Sequence, residues 1–185
     1  QWIARDLSVS RPPLREAIRV LEQEGLVQSI PRRGTFVTRL SGADIMEIYV
    51  LRCALEGSAA RSLCAEASDQ VIDELESHLD APVASDAPLA EVIAHDLAFH
   101  RKLVTLSGNG RLCQMWEQMV SQLRLALVRV DPAFFAEAFI DATHRELIRA
   151  MRSRNADQVT VAMDHLLEVG ASLRERWDAD VAAIS

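Results

Sequence analysis

One carboxylate and three imidazoles in this chain, Asp96, His100, His144 and His165, interrupt stripes that are otherwise apolar. Asp96 and His100 are four residues apart, so on a helix both project from adjacent turns of one face. Around them recur Leu89, Val92, Ile93, Leu103 and Val104. His144 falls among Ile140, Leu147, Ile148 and Met151, and His165 among Val161, Ala162, Leu166 and Val169. The spacing therefore predicts that all four groups face the interior of one domain. A buried carboxylate is costly unless it is paired or bound to a metal, and buried rings need partners too. A single divalent ion would satisfy all four. Three nitrogens and one oxygen suit zinc, nickel, iron or manganese, with one or two positions open to water or a ligand. An Asp96–histidine ion pair with hydrogen-bonded core histidines is the alternative, and spacing alone leaves both open.

The elements that must position these groups are helical. Ser41 is placed to cap a helix over 43–66 whose stripe includes Ile45, Ile48, Tyr49, Leu51, Leu55 and Ala59. Ser68 caps a second helix reaching residue 79, and 80–86, with Pro82 and Ser85, reads as a loop. Three helices follow over 87–106, 110–130 and 132–152. The first two are separated by Ser107-Gly108-Asn109, and Asp131-Pro132 is a cap with proline in the first turn. A last helix opens at 155–157 and runs to about residue 178. No strand pattern occurs after residue 38, so the body is expected to be an antiparallel all-α bundle of about six helices. Arg52 lies near the first stripe, where its guanidinium could clamp a ligand carboxylate or pair with Glu56 four residues on. His95 points away towards Glu91 and Lys102 and reads as surface, and His78 as solvated. Trp2, Trp116 and Trp177 are scattered and suggest no role.

The first 40 residues have a different character. Their seven arginines against Asp6, Glu16, Glu22 and Glu24 give +3, which leaves −10 on the remainder of a chain whose net charge is −7. A basic head on an acidic body points to nucleic acid at one end. Ser10 is a helix N-cap with Pro12 and Pro13 in the first turn, Leu14, Ala17, Ile18 and Leu21 recur at helical spacing, and Gly25 ends the run. Arg11, Arg15 and Arg19 repeat every four residues beside that apolar stripe. Such a helix suits the major groove, where arginine binds guanine O6 and N7 or phosphate; a surface helix pairing its arginines with Glu16 and Glu22 is the alternative. Two β-branched runs, 26–30 and 35–38, flank Pro31-Arg32-Arg33-Gly34 and read as a hairpin with a basic tip. Helix, turn, recognition helix and basic wing make a winged helix-turn-helix. Its expected DNA-binding residues are Ser10, Arg11, Pro12 and Arg15 on the helix, with Arg32, Arg33 and Gly34 on the wing.

At this point the sequence resembles the GntR family of bacterial transcription regulators. The resemblance is carried by Val9-Ser10-Arg11, Leu14-Arg15-Glu16-Ala17, Leu21-Glu22, Glu24-Gly25-Leu26-Val27 and Arg33-Gly34-Thr35-Phe36-Val37. Pro12 departs from the threonine common in the family, which removes a hydroxyl from the DNA-facing helix. A further helix normally precedes this motif, so residues before Gln1 are expected to be missing. In the body, Asp96-x3-His100, Ser107-Gly108-Asn109, His144 and His165 resemble the metal-binding type of FadR C-terminal (FCD) domain, and Arg52-x2-Leu55-Glu56 with Ala59-Ala60 resembles that module's first helix. The resemblance implies one divalent ion per chain (zinc, nickel or manganese) held by Asp96, His100, His144 and His165. It also implies a small carboxylate effector, a sugar acid or hydroxy acid, beside the ion.

The resulting expectation is a mainly α protein. Residues 1–39 form a winged helix-turn-helix lacking its start, and 40–185 form an all-helical effector-binding and dimerisation domain. The resemblance implies a ligand-responsive regulator of operator DNA, in the family's usual mode a repressor, and a homodimer is expected since one short recognition helix reads too few base pairs alone. Cys53, Cys64 and Cys113, odd in number and without a CxxC pair, fit a reducing cytoplasm, and no run approaches the length of a membrane span. Two rival readings are a metal-dependent hydrolase or lyase and a fatty-acyl-CoA-responsive regulator. The first lacks an interior general base, and the second does not use this quartet.

Overall fold

The computed structural model of the chain describes residues 2–80, 87–127 and 140–184. The chain divides into two units, Gln1–Arg39 and Leu40–Ser185. In the first, α1 (Trp2–Asp6) and α2 (Arg11–Gln23) precede an antiparallel hairpin of β1 (Val27–Ile30) and β2 (Gly34–Val37). Ser10 is the N-cap of α2 in extended backbone, though its hydroxyl makes no capping bond, and the prolines fill the first turn. The helix closes where Gly25 takes φ +71° and Leu26 N–H donates to the Leu21 carbonyl at 2.9 Å. Val27 pairs with Val37 and Ile30 with Gly34, and the tip turns through Arg32 at φ +64°. Glu22 accepts from Ser29 N–H at 3.0 Å, which ties α2 to the wing and commits a carboxylate that the alternative reading gave to the arginines. The expected apolar face of α2 is only partly covered: Leu14 and Ile18 are half-buried, while Ala17 and Leu21 are exposed.

The second unit is helical throughout its described residues. Its helices are α3 (Gly42–Glu66), α4 (Asp69–Glu76), α5 (Leu89–Leu106), α6 (Gly110–Leu127), α7 (Ile140–Arg152) and α8 (Ala156–Ile184). These are the six elements that the periodicity predicts; α8 runs further than expected, and α4 is shorter. The expected cap at Asp131-Pro132 and the Pro82 and Ser85 loop lie outside the described residues. Ser41 begins α3 with a capping box, its hydroxyl accepting from Asp44 N–H at 3.2 Å while the Asp44 carboxylate accepts from Ser41 N–H at 2.7 Å. The Asp44 carboxyl is held below its usual range, first by the Ser41 hydroxyl and then by that backbone bond.

Helices α3 and α8 share the most extensive helix–helix contact. Their buried faces match the expected ones in part: Ile45, Ile48, Tyr49 and Ala59 of α3 and Leu166 of α8 are buried as the spacing predicts. On α3 the interior row is Ile45, Tyr49, Arg52, Glu56, Ala60 and Leu63, while Leu51 is 48% exposed. On α8 it is Val159, Met163, Leu166, Gly170 and Leu173, and Val161 is 68% exposed. Both true rows keep strict helical spacing. The expected rows followed apolarity, and on α3 two charged residues hold interior positions because they are partners for each other.

Gly170 sets how close the two helices come. A Cβ there would lie 2.6 Å from the Tyr49 Cβ. Gly170→Ala should therefore force α3 and α8 apart and lower stability by about 1–3 kcal/mol, the usual cost of overpacking. Urea denaturation checks this; an unchanged midpoint would show that the contact gives way freely.

Candidate metal centre

Asp96 and His100 project from α5 and His144 from α7, and all three are buried. Asp96 Oδ1 lies 3.5 Å from His100 Nε2 and 3.4 Å from His144 Nε2, and the two ring nitrogens are 3.1 Å apart. These three atoms form a nearly equilateral triangle. Ligand atoms at metal bonds of about 2.0–2.1 Å in a tetrahedral site are roughly 3.3–3.4 Å apart, so the triangle has the size of one face of such a site. The donor set also fits, being one hard oxygen and two imidazole nitrogens.

The rings are held by stacking as well as by charge. Phe99 lies parallel to the His144 ring, with centroids 4.0 Å apart and planes 18° off, and meets His100 edge-on at 5.4 Å. Behind His100 is a charged group that the apolar pattern did not reveal. Glu56 of α3 is fully buried, with Oε2 2.8 Å from His100 Nδ1, a close contact without the alignment of a hydrogen bond. Its Oε1 accepts from Arg52 Nε at 3.1 Å and from Trp116 Nε1 of α6 at 2.7 Å. Trp116, expected to have no role, thus anchors the site. The sequence did contain a usable signal: Ile45, Tyr49, Arg52, Glu56, Ala60 and Leu63 follow one helical row.

Arg52 forms the Glu56 salt bridge and also lies over the Tyr49 ring, 5.1 Å from its centroid. Its Nη2 is buried without a hydrogen-bond partner, as is His144 Nδ1. His165 is not brought into the group. Its side chain is 33% exposed on the flank of the true α8 row, with Nδ1 3.6 Å from Glu168. His95 is half-buried rather than surface, stacked on His78 at 4.4 Å, and His78 Nε2 lies 3.1 Å from the His95 carbonyl oxygen.

Burial opposes charge on every group here, and neighbours decide the outcome. For Glu56 burial raises the pKa, but Arg52 and then His100 outweigh it and hold the carboxyl down at about 2. Burial likewise opposes ionisation of Asp96, and His100 and His144 overcome it. For His100 burial lowers the pKa, yet Glu56 pulls it above the ordinary value of 6.5. For His144 burial, reinforced by His100, lowers it to about 3. The pair is thus split, with one ring favouring the proton and the other refusing it.

This split predicts a pH profile for the metal-free protein. His144 stays neutral when folded but takes a proton below 6.5 when unfolded, so stability is lost as pH falls from 6.5 towards 3. His100 does the reverse: its folded pKa is raised, so its contribution is complete below 6.5 and is lost as pH rises through the folded value. Unfolding free energy measured by urea titration should peak near pH 6.5. A monotonic rise to pH 9 would contradict the split.

In the first unit, Arg11, Arg15, Arg19, Arg32 and Arg33 are all exposed. Among the described residues none of them forms an ion pair, in contrast to Arg152, which pairs with Asp73 and Glu76. Ser10, Pro12 and Gly34 are exposed beside them.

Comparison with known proteins accords with both units. Residues 1–37 match the family described as bacterial regulatory proteins, gntR family, and residues 47–169 match the FCD domain. An HTH-type transcriptional regulator in an unstable DNA locus of Streptomyces ambofaciens is 35% identical, over 98% of this chain and 80% of that protein. A probable D-xylose utilization operon transcriptional repressor of Paenarthrobacter nicotinovorans is 28% identical, over 88% of this chain and 72% of that protein. Among solved structures, E. coli McbR/YncC superposes with a TM-score of 0.71 at 18% identity, over 94% of this chain and 84% of that one, a likeness of fold. No described helix is long and apolar enough to cross a membrane. The chain belongs to the GntR family of bacterial DNA-binding transcription regulators, with an FCD domain as its helical unit.

Proposed function

We propose that this regulator is a repressor whose helical domain binds a divalent metal and a small organic acid, and that occupancy of this site changes its affinity for operator DNA. The observation that supports the reading best is the buried triangle of Asp96 Oδ1, His100 Nε2 and His144 Nε2, whose edges and chemistry suit one ion. Zinc, nickel or manganese would each accept this set and would polarise and orient an acid bound beside it. His165, the fourth ligand implied by the family resemblance, lies 3.6 Å from Glu168 on the flank of α8 and would have to turn inward to join. Arg52 offers an unpartnered N–H, Nη2, to an effector carboxylate, while its Nε is held by Glu56. A sugar acid or hydroxy acid fits this combination of cation and metal.

On the DNA side, Arg11 and Arg15 read bases from the first turns of α2, with Ser10 and Pro12 against the backbone, while Arg32, Arg33 and Gly34 meet phosphate or the minor groove. A homodimer supplies two such heads for paired half-sites. Repression accords with the xylose-operon relative, which is named as a repressor. The acidic body has no electrostatic reason to touch DNA, so the effector acts by favouring one arrangement of the two heads over another.

Linkage makes this testable. An effector can change operator affinity only by its differential binding to the two arrangements, typically 1–3 kcal/mol, and DNA must change effector affinity by the same factor. A thermal-shift panel of sugar acids and hydroxy acids identifies the ligand. Its titration with and without operator should then show a shift of roughly 5- to 150-fold. Equal effector affinity in both conditions would remove the regulatory coupling.

A further inference from the structure

Glu56 is a buried carboxylate with no place among the metal-facing atoms, and its two oxygens are divided. Oε1 takes both fixed donors, Arg52 Nε at 3.1 Å and Trp116 Nε1 at 2.7 Å. Oε2 lies 2.8 Å from His100 Nδ1, and neither of those atoms has a hydrogen-bond partner elsewhere. The two nitrogens of an imidazole point to opposite sides of the ring, so whatever holds Nδ1 also aims Nε2. Here Nε2 is aimed at Asp96 Oδ1 and His144 Nε2.

We propose that Glu56 is the positioning residue of this centre. Its Oε2 is the acceptor nearest His100 Nδ1, 2.8 Å away, and takes the Nδ1 proton once the ring aligns on the metal, while the Arg52 and Trp116 donors lock the carboxylate so that Nε2 is presented to the ion. The inference rests on the metal reading above and adds a role for α3 and α6, which supply none of the triangle's atoms. A carboxylate behind a ligating histidine fixes the tautomer and raises the basicity of the ligating nitrogen, and its loss typically costs 10–100-fold in metal affinity. Glu56→Gln keeps the shape of the side chain but places an amide N–H₂ against a set of donors, so one contact must fail whichever way the amide turns.

The test is zinc affinity of the full chain, measured by chelator competition, in wild type, Glu56→Gln and Trp116→Phe. The expected result is a loss of about 10–100-fold in Glu56→Gln and a smaller loss in Trp116→Phe, which frees Oε1 on one side only. Zinc affinity of Glu56→Gln within about twofold of wild type would overturn the proposal and leave the metal reading intact, whereas wild type without affinity for zinc would overturn both. Nitrogen-15 NMR of zinc-loaded wild type gives an answer that does not depend on the folding of the Glu56→Gln variant. His100 should carry a proton on Nδ1 and bind through Nε2, and metallation through Nδ1 would overturn the assignment.

Discussion

His144→Ala should abolish retention of a divalent ion. Purified wild type should contain about one ion per chain by elemental analysis, and the variant none after the same gentle purification. The loss should exceed the 10–100-fold that follows removal of a supporting residue, because His144 contributes one corner of the triangle itself. His165→Ala separates the contributions of the two histidines. If His165 turns in from Glu168 on loading, its removal also releases metal; if it remains on the flank of α8, affinity is unchanged and three protein ligands hold the ion. Metal-free wild type that gains no stability from added zinc, nickel or manganese would return Asp96, His100 and His144 to a structural role. Occupancy should also fall with pH, since His100 must give up a proton to bind while His144 is already neutral.

The second large effect is on DNA. Arg15→Ala should cost about 1–3 kcal/mol on the specific site and relax sequence preference at one base pair, as expected when a bidentate guanine contact is lost. Arg33→Ala should act differently, weakening specific and non-specific DNA alike and reducing the slope of log affinity against log salt by about one. The exposure of both residues and their lack of ion pairs among the described residues mean that neither substitution disturbs the fold. Operator affinity and sequence preference unchanged by Arg15→Ala would show that α2 is not the reading helix.

What local sequence determines here is whatever depends on neighbours a few residues away. The Ser41 capping box, the α2 start with prolines in its first turn, the Gly25 close and the hairpin through Arg32 and Gly34 each follow from residue types at short range, and each was legible. So were the six helices of the body, and the pairing of Asp96 with His100 on one face of α5, because helical period alone requires it. The tertiary structure decided which side of each helix is inside. On α3 apolarity favoured Leu51 and Leu55, yet Arg52 and Glu56 are buried, since two opposite charges with Trp116 and His100 as further partners make an interior position tolerable. That compensation comes from α5 and α6, roughly 44 to 60 residues away, and no local pattern contains it. The same holds for His165, which is flanked by apolar residues but rotated off the row that Gly170 sets by its approach to Tyr49. Local period places a side chain on a helix; only the packing of one helix against another decides what that side chain meets.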